Sequence, residues 1–178
     1  GLYCILAYFD FHKEISLYPS IHEYLKQYES KLRNRGQVRY TSSGKPKNGA
    51  DYPGQHHWLE LDNNPRKEYM DDFSKQKIIW SDISTEPNFL FNDEEIYFNN
   101  TCYMIIGAPE WVINYLNSDI IRWYFPKVIA SDLGAGTRYF KQFVEMIPVP
   151  KEYNSETFYL DIGLSDEEIK FISSSVNS

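Results

Sequence analysis

The spacing of apolar positions changes along the chain, and each change predicts an element. Residues 1–9 are filled by aliphatic and aromatic side chains and end at the charged stretch from Asp10 to Glu14, which predicts a strand. Tyr18-Pro19-Ser20 then supplies a helix start, and Ser20 to Glu23 has the spacing of a capping box. Ile21, Leu25, Tyr28 and Leu32 follow as one helical stripe, with Gly36 placed to end it in a left-handed conformation. From Gln37 to His57 the periodicity vanishes, and residues 41–49 read as a polar, cationic loop.

Further on, Trp58 to Leu61 is a short half-buried segment, and Pro65 to Phe73 a brief helix or turn. Strands are predicted at 77–83, 89–91 and 96–98, with residues 92–95 as a hairpin-like turn, and at 101–107, buried on both faces. Trp111, Tyr115 and Leu116 suit a short helix. Ser118 or Asp119 caps a second one, with a possible kink at Pro126. Gly134 to Gly136 is a break, and Pro148-Val149-Pro150 a terminator. The tail carries a second capping box, Ser165 to Glu168, ahead of Ile169, Ile172 and Val176. The expected fold is mixed α+β: a meandering, mostly antiparallel sheet with flanking helices and a C-terminal helical extension. Residues 1–150 form the main domain, and 151–178 a linker and the start of a helix.

Composition adds a tyrosine-rich surface: 15 Tyr, 11 Phe and 4 Trp make up 17% of 178 residues. Such rings serve recognition surfaces well. Cys4 and Cys102 cannot build a disulfide framework, and each reads as a small buried hydrophobe in a reducing cytoplasm. No apolar run reaches the ~20 residues of a membrane span. The opening segment lacks an initiator Met and a signal-peptide leader, so a piece of a longer protein is expected.

Catalytic signatures are sparse. His56 and His57, with Glu60 nearby, suggest a metal cluster, but adjacent histidines on a strand face opposite ways, so solvated or phosphate-contacting rings are preferred. Asp161 with Glu168 and Lys170 loosely mimics a nuclease set, yet Glu168 is accounted for as a helix cap. Gly134 to Arg138 lacks the third glycine of a dinucleotide fingerprint.

Charge is more informative. The chain carries −7 overall, with a pI near 5.1. Yet between Lys26 and Lys47 seven cations face Glu29 alone, a net +6 that leaves −13 for the rest. A cationic edge on an acidic body can approach DNA while the remainder limits non-specific adhesion. Arg39, Lys45, Lys47 and Arg138 are the candidate groove or phosphate contacts, with Arg33, Arg35, His56 and Lys141 as flanking phosphate contacts. The plain alternative for these side chains is a solvated helix end and turn. A protein or carbohydrate interaction module using exposed Tyr and Trp is the competing function.

The order of segments resembles the TaqI-like C-terminal specificity domain. The matching pieces are Tyr18 to Ile21 with Tyr24, Leu25 and Leu32 to Arg35; Trp58 to Leu61; Lys77 to Ile83; Asn99 to Tyr103; Leu116 to Ser118; and Arg138 to Pro150. The set is similar, too, to recognition domains of type I specificity subunits. The resemblance implies a module that reads double-stranded DNA within a type IIG restriction–modification enzyme. In such an enzyme one polypeptide joins a nuclease, an adenine-N6 methyltransferase and a target-recognition domain. No cofactor is expected in this piece; S-adenosylmethionine and Mg2+ are expected for the parent enzyme, in a bacterial or archaeal cytoplasm.

Overall fold

The computed structural model describes residues 3–8, 10–39, 52, 54–62, 65–128 and 137–176. The chain divides into two units, residues 1–67 and 68–178. The predicted loop at 41–49 and the break at 134–136 lie outside the described residues.

In the first unit the predicted N-terminal strand does not form across the described residues 3–8. Residues 3–8 run as irregular backbone with tight turns, Ala7 N–H to the Ile5 carbonyl and Tyr8 N–H to the Leu6 carbonyl. The Ala7 carbonyl accepts from Leu61 N–H at 2.8 Å. High strand propensity expresses itself as strand only where a neighbouring ladder is present. Cys4 is exposed here and Cys102 half-buried, and both are free thiols, so neither is the fully buried hydrophobe expected from its apolar surroundings.

The single predicted helix is a staggered set. It comprises α1 (Phe11–Glu14), a 3-10 turn (Ile15–Leu17), α2 (Pro19–Lys26), α3 (Glu29–Arg33) and α4 (Gly36–Arg39). Pro19 starts α2 because its fixed φ suits the first turn. The expected capping box is absent: α2 has no side-chain cap, and the Glu23 carboxylate takes the Lys26 ammonium at 2.7 Å instead. The break falls at Gln27 and Tyr28. Gly36 opens α4 and is not among the left-handed glycines of the described residues. The stripe still works in part, since Leu25 and Leu32 pack with Phe11 and Ile15 on the buried Val38, Trp58 and Leu59. Gly54 is required where it stands: a Cβ would lie 2.2 Å from the Gln37 carbonyl oxygen.

Helix α5 (Lys67–Asp71) spans the boundary between the units, and a 3-10 turn (Asp72–Ser74) follows it. The strands of the second unit are β1 (Lys77–Ser81), β2 (Ile83–Ser84), β3 (Leu90–Asn92) and β4 (Cys102–Ile106). After them come α6 (Trp111–Leu116), α7 (Asp119–Val128), β5 (Thr137–Arg138), α8 (Lys141–Val144), α9 (Phe158–Asp161) and α10 (Asp166–Val176). The fold is therefore mixed α+β with antiparallel pairing, as expected.

Strand order departs from a meander. β1 is central, with β3 on one side and β4 on the other, while β2 pairs separately with β5. The register sets Ile78 against Phe91 and Ile105, and Trp80 against Tyr103. β4 is thus an edge strand of this sheet, half-buried throughout rather than covered on both faces. The strand expected at 96–98 does not form. Tyr97 and Phe98 bring their rings to about 5 Å from that of Phe73 instead.

Helix and sheet meet in a core of Ile78, Trp80, Phe89, Tyr115, Leu116, Ile121, Phe125 and Tyr139. Phe125 and Tyr139 stack with centroids 4.4 Å apart and planes 3° from parallel. The second capping box forms as its spacing predicts, Ser165 N–H and Oγ both reaching Glu168 Oε2 at 2.8 Å. α10 lies along α7, with Phe171 edge-on to Trp123. No helix among the described residues is long and apolar enough to cross a membrane.

Candidate functional site

The cationic window of the first unit sorts into side chains used internally and side chains turned outward. Arg35 is used internally: its Nη2 donates to the carbonyls of Trp58 and Glu60 at 3.0 and 2.7 Å, and its Nη1 lies 3.5 Å from Asp62. Arg33 donates to Glu29 at 2.7 Å and places its guanidinium 5.1 Å from the ring centre of buried Trp58. Arg39 is exposed at the end of α4. His56 faces the Gln37 side-chain carbonyl, Nε2 to Oε1 at 3.1 Å, and its backbone N–H shares the Gln37 main-chain carbonyl with Gln55. Lys45 and Lys47 lie outside the described residues. Exposed helix pairs such as Arg33 with Glu29 hold by only about 0.2–0.5 kcal/mol, so a phosphate can displace the carboxylate.

In the second unit Arg138 and Lys141 share one short segment. Arg138 sits on β5 opposite Ile83, its guanidinium 4.7 Å from the ring centre of Phe140. The segment is anchored by Tyr139 N–H donating to the Asp82 carbonyl at 2.8 Å. Buried Thr137 and Tyr139 on either side turn Arg138 to the half-exposed face. Lys141, exposed at the start of α8, is 3.3 Å from Glu145. A ring-backed guanidinium keeps a fixed plane and a weakened hydration shell, both suited to phosphate or to a base edge.

The segment at His57 to Glu60, where the sequence offered adjacent histidines beside a carboxylate, gathers a titratable cluster whose other members, Asp10, His12 and Tyr52, the sequence did not point to. Glu60, with only 3% of its side chain exposed, pairs through Oε1 with His12 Nδ1 at 2.6 Å. His57 N–H approaches its Oε2 at 3.4 Å. His12 stacks on His57 at 4.4 Å, with Tyr52 edge-on to both. Asp10 completes the group and pairs with Lys13 at 3.0 Å, which holds the Lys13 ammonium above lysine's usual range. The sequence signal was His12 inside the charged stretch after the apolar opening, 48 residues from its partner.

A type II methyltransferase from Aneurinibacillus aneurinilyticus, M.BanIII, is 27% identical over 156 residues, covering 82% of this chain and 24% of the relative. The chain thus spans about a quarter of that protein's length. The TaqI-like C-terminal specificity domain family matches residues 13–149, well over half of the sequence. The span includes α2 to α4 with their cations, the central sheet and the Arg138 segment. The chain belongs to the TaqI-like C-terminal specificity domain family.

Proposed function

We propose that the chain binds a specific sequence of double-stranded DNA as the target-recognition domain of a type IIG restriction–modification enzyme. In the parent polypeptide, an adenine-N6 methyltransferase and an endonuclease accompany it. Family membership over residues 13–149 carries this reading, and the relative's description as a type II methyltransferase supports it. The +6 window between Lys26 and Lys47 supplies the electrostatics.

Arg39, Lys45, Lys47 and Arg138 serve as groove or phosphate contacts, while Arg33, His56 and Lys141 flank them on phosphates. Arg35 contributes chiefly by fixing the turn at Trp58 to Glu60, with its remaining charge available to the backbone of the duplex. Holding the duplex in register would let the methyltransferase extrude its adenine. S-adenosylmethionine and Mg2+ belong to the parent's catalytic domains, in a bacterial or archaeal cytoplasm.

The test is selection of duplexes from a random-sequence library by the 178-residue chain, followed by titration of the winners at several salt concentrations. One enriched motif is expected. With about four phosphates neutralised, affinity should fall roughly a hundredfold between about 50 and 200 mM salt. Failure to enrich any motif, or binding indifferent to salt, overturns the proposal.

A further inference from the structure

We propose that Asp10, His12 and Glu60 bind one divalent transition-metal cation. A carboxylate oxygen, an imidazole nitrogen and a second carboxylate oxygen lie within 4.8 Å of one another, all in the first unit. One nitrogen with two oxygens suits Zn2+, Mn2+ or Co2+, whereas Ca2+ and Mg2+ prefer oxygen alone. Glu60 is the buried wall of the site and Asp10, 63% exposed, the open side through which an ion enters.

The neighbouring groups fit a cation. Buried Glu60 is a carboxylate in a desolvated place, where a positive partner is needed and where His12 supplies one only when protonated. On metal binding, His12 Nδ1 leaves its 2.6 Å contact with Glu60 Oε1, and both atoms turn to the ion. The Lys13 ammonium, now 3.0 Å from Asp10, yields its place to the stronger charge. Stacking on His57 and the edge of Tyr52 hold the His12 ring in one plane, the orienting duty that outer groups perform in metal sites. The ion would fasten the segment entering α1 to the turn at 57–60. Nothing in the site depends on DNA.

The test uses the 178-residue chain, stripped with a chelator and titrated calorimetrically with Zn2+, with Mg2+ as the oxygen-preferring control. Expected are one Zn2+ per chain and no comparable Mg2+ uptake. Asp10→Asn, on the solvent side, should weaken Zn2+ binding roughly tenfold or more and shrink the rise in thermal midpoint that Zn2+ gives the unaltered chain. His12→Gln should abolish site binding, and His22→Gln should leave it intact. Absence of stoichiometric Zn2+ binding overturns the proposal. So does binding that survives Asp10→Asn and His12→Gln undiminished, which would assign the metal to other surface groups.

Discussion

The indole Nε1 of Trp80 donates a 2.7 Å hydrogen bond to the main-chain carbonyl of Tyr139, 59 residues away. That bond ties the central strand β1 to the residue after Arg138, so the geometry of a proposed DNA contact rests on a buried tryptophan. Trp80→Phe removes the donor and opens a small void. A loss of about 2–3 kcal/mol in urea unfolding is expected. DNA affinity should fall in the same variant, since β5 loses its anchor.

Arg138→Ala and Arg39→Ala test the interface directly. If the side chain neutralises a phosphate, its removal should lower the slope of log affinity against log salt by about 1 and weaken all sequences alike. If it reads a base, its removal should instead relax selectivity at one position, at about 1–3 kcal/mol. Binding titrations on the selected motif and on single-base variants separate the two outcomes.

Lys77 is 1% exposed, and its ammonium donates to the carbonyls of Phe73, Lys75 and Glu94 at 2.9, 2.9 and 2.7 Å. Three donors meet three acceptors, which is why a charge is tolerated there. Lys77→Met keeps the volume but strips all three carbonyls, and a loss of about 2–4 kcal/mol is expected in denaturant unfolding.

Burial pushes the Tyr115 hydroxyl up to about 12 from an ordinary 10.0, and Tyr139 is raised in the same direction by its own burial. The folded state therefore favours the protonated phenols. Their stabilisation is whole below about pH 10 and is lost as pH climbs from there towards 12. Alkaline unfolding followed by tyrosinate absorbance should show this late class. Tyr115→Phe should soften the transition while costing about 1 kcal/mol at neutral pH, because the bond to the Pro148 carbonyl is gone.

The capping box of α10 holds Glu168 below its usual carboxylate range, through bonds from Ser165 N–H and hydroxyl. Its contribution is present above about pH 4.5 and fades as pH falls below that value. Ser165→Ala should loosen the first turn of α10, read as amide exchange about fivefold faster at its N-terminus.

By itself the sequence determined what short-range chemistry controls. Ser165 and Glu168 sit within one turn, so the cap formed where the spacing placed it. The strand positions at 77–81 and 102–106 were legible from local apolar runs, and so was the mixed α+β class. The order of family-like segments disclosed the domain type. The cationic window was equally visible, because charge can be counted without a fold.

Only the tertiary structure decided which partner each group found. Ser20 and Glu23 have the same spacing as the working cap, yet Glu23 goes to Lys26 and α2 starts on Pro19. Residues 3–8 have strand character but find no ladder to join among the described residues. Arg35 and Arg39 are equivalent as charges, but the turn at 57–60 brings two carbonyls to Arg35 and leaves Arg39 exposed. Glu60, close to His56 and His57 in sequence, pairs its carboxylate with the distant His12. For Arg35 and Glu60 the energy of a polar group depends on who stands within about 3 Å of it, and that distance is set by packing between segments 23 to 48 residues apart in the chain.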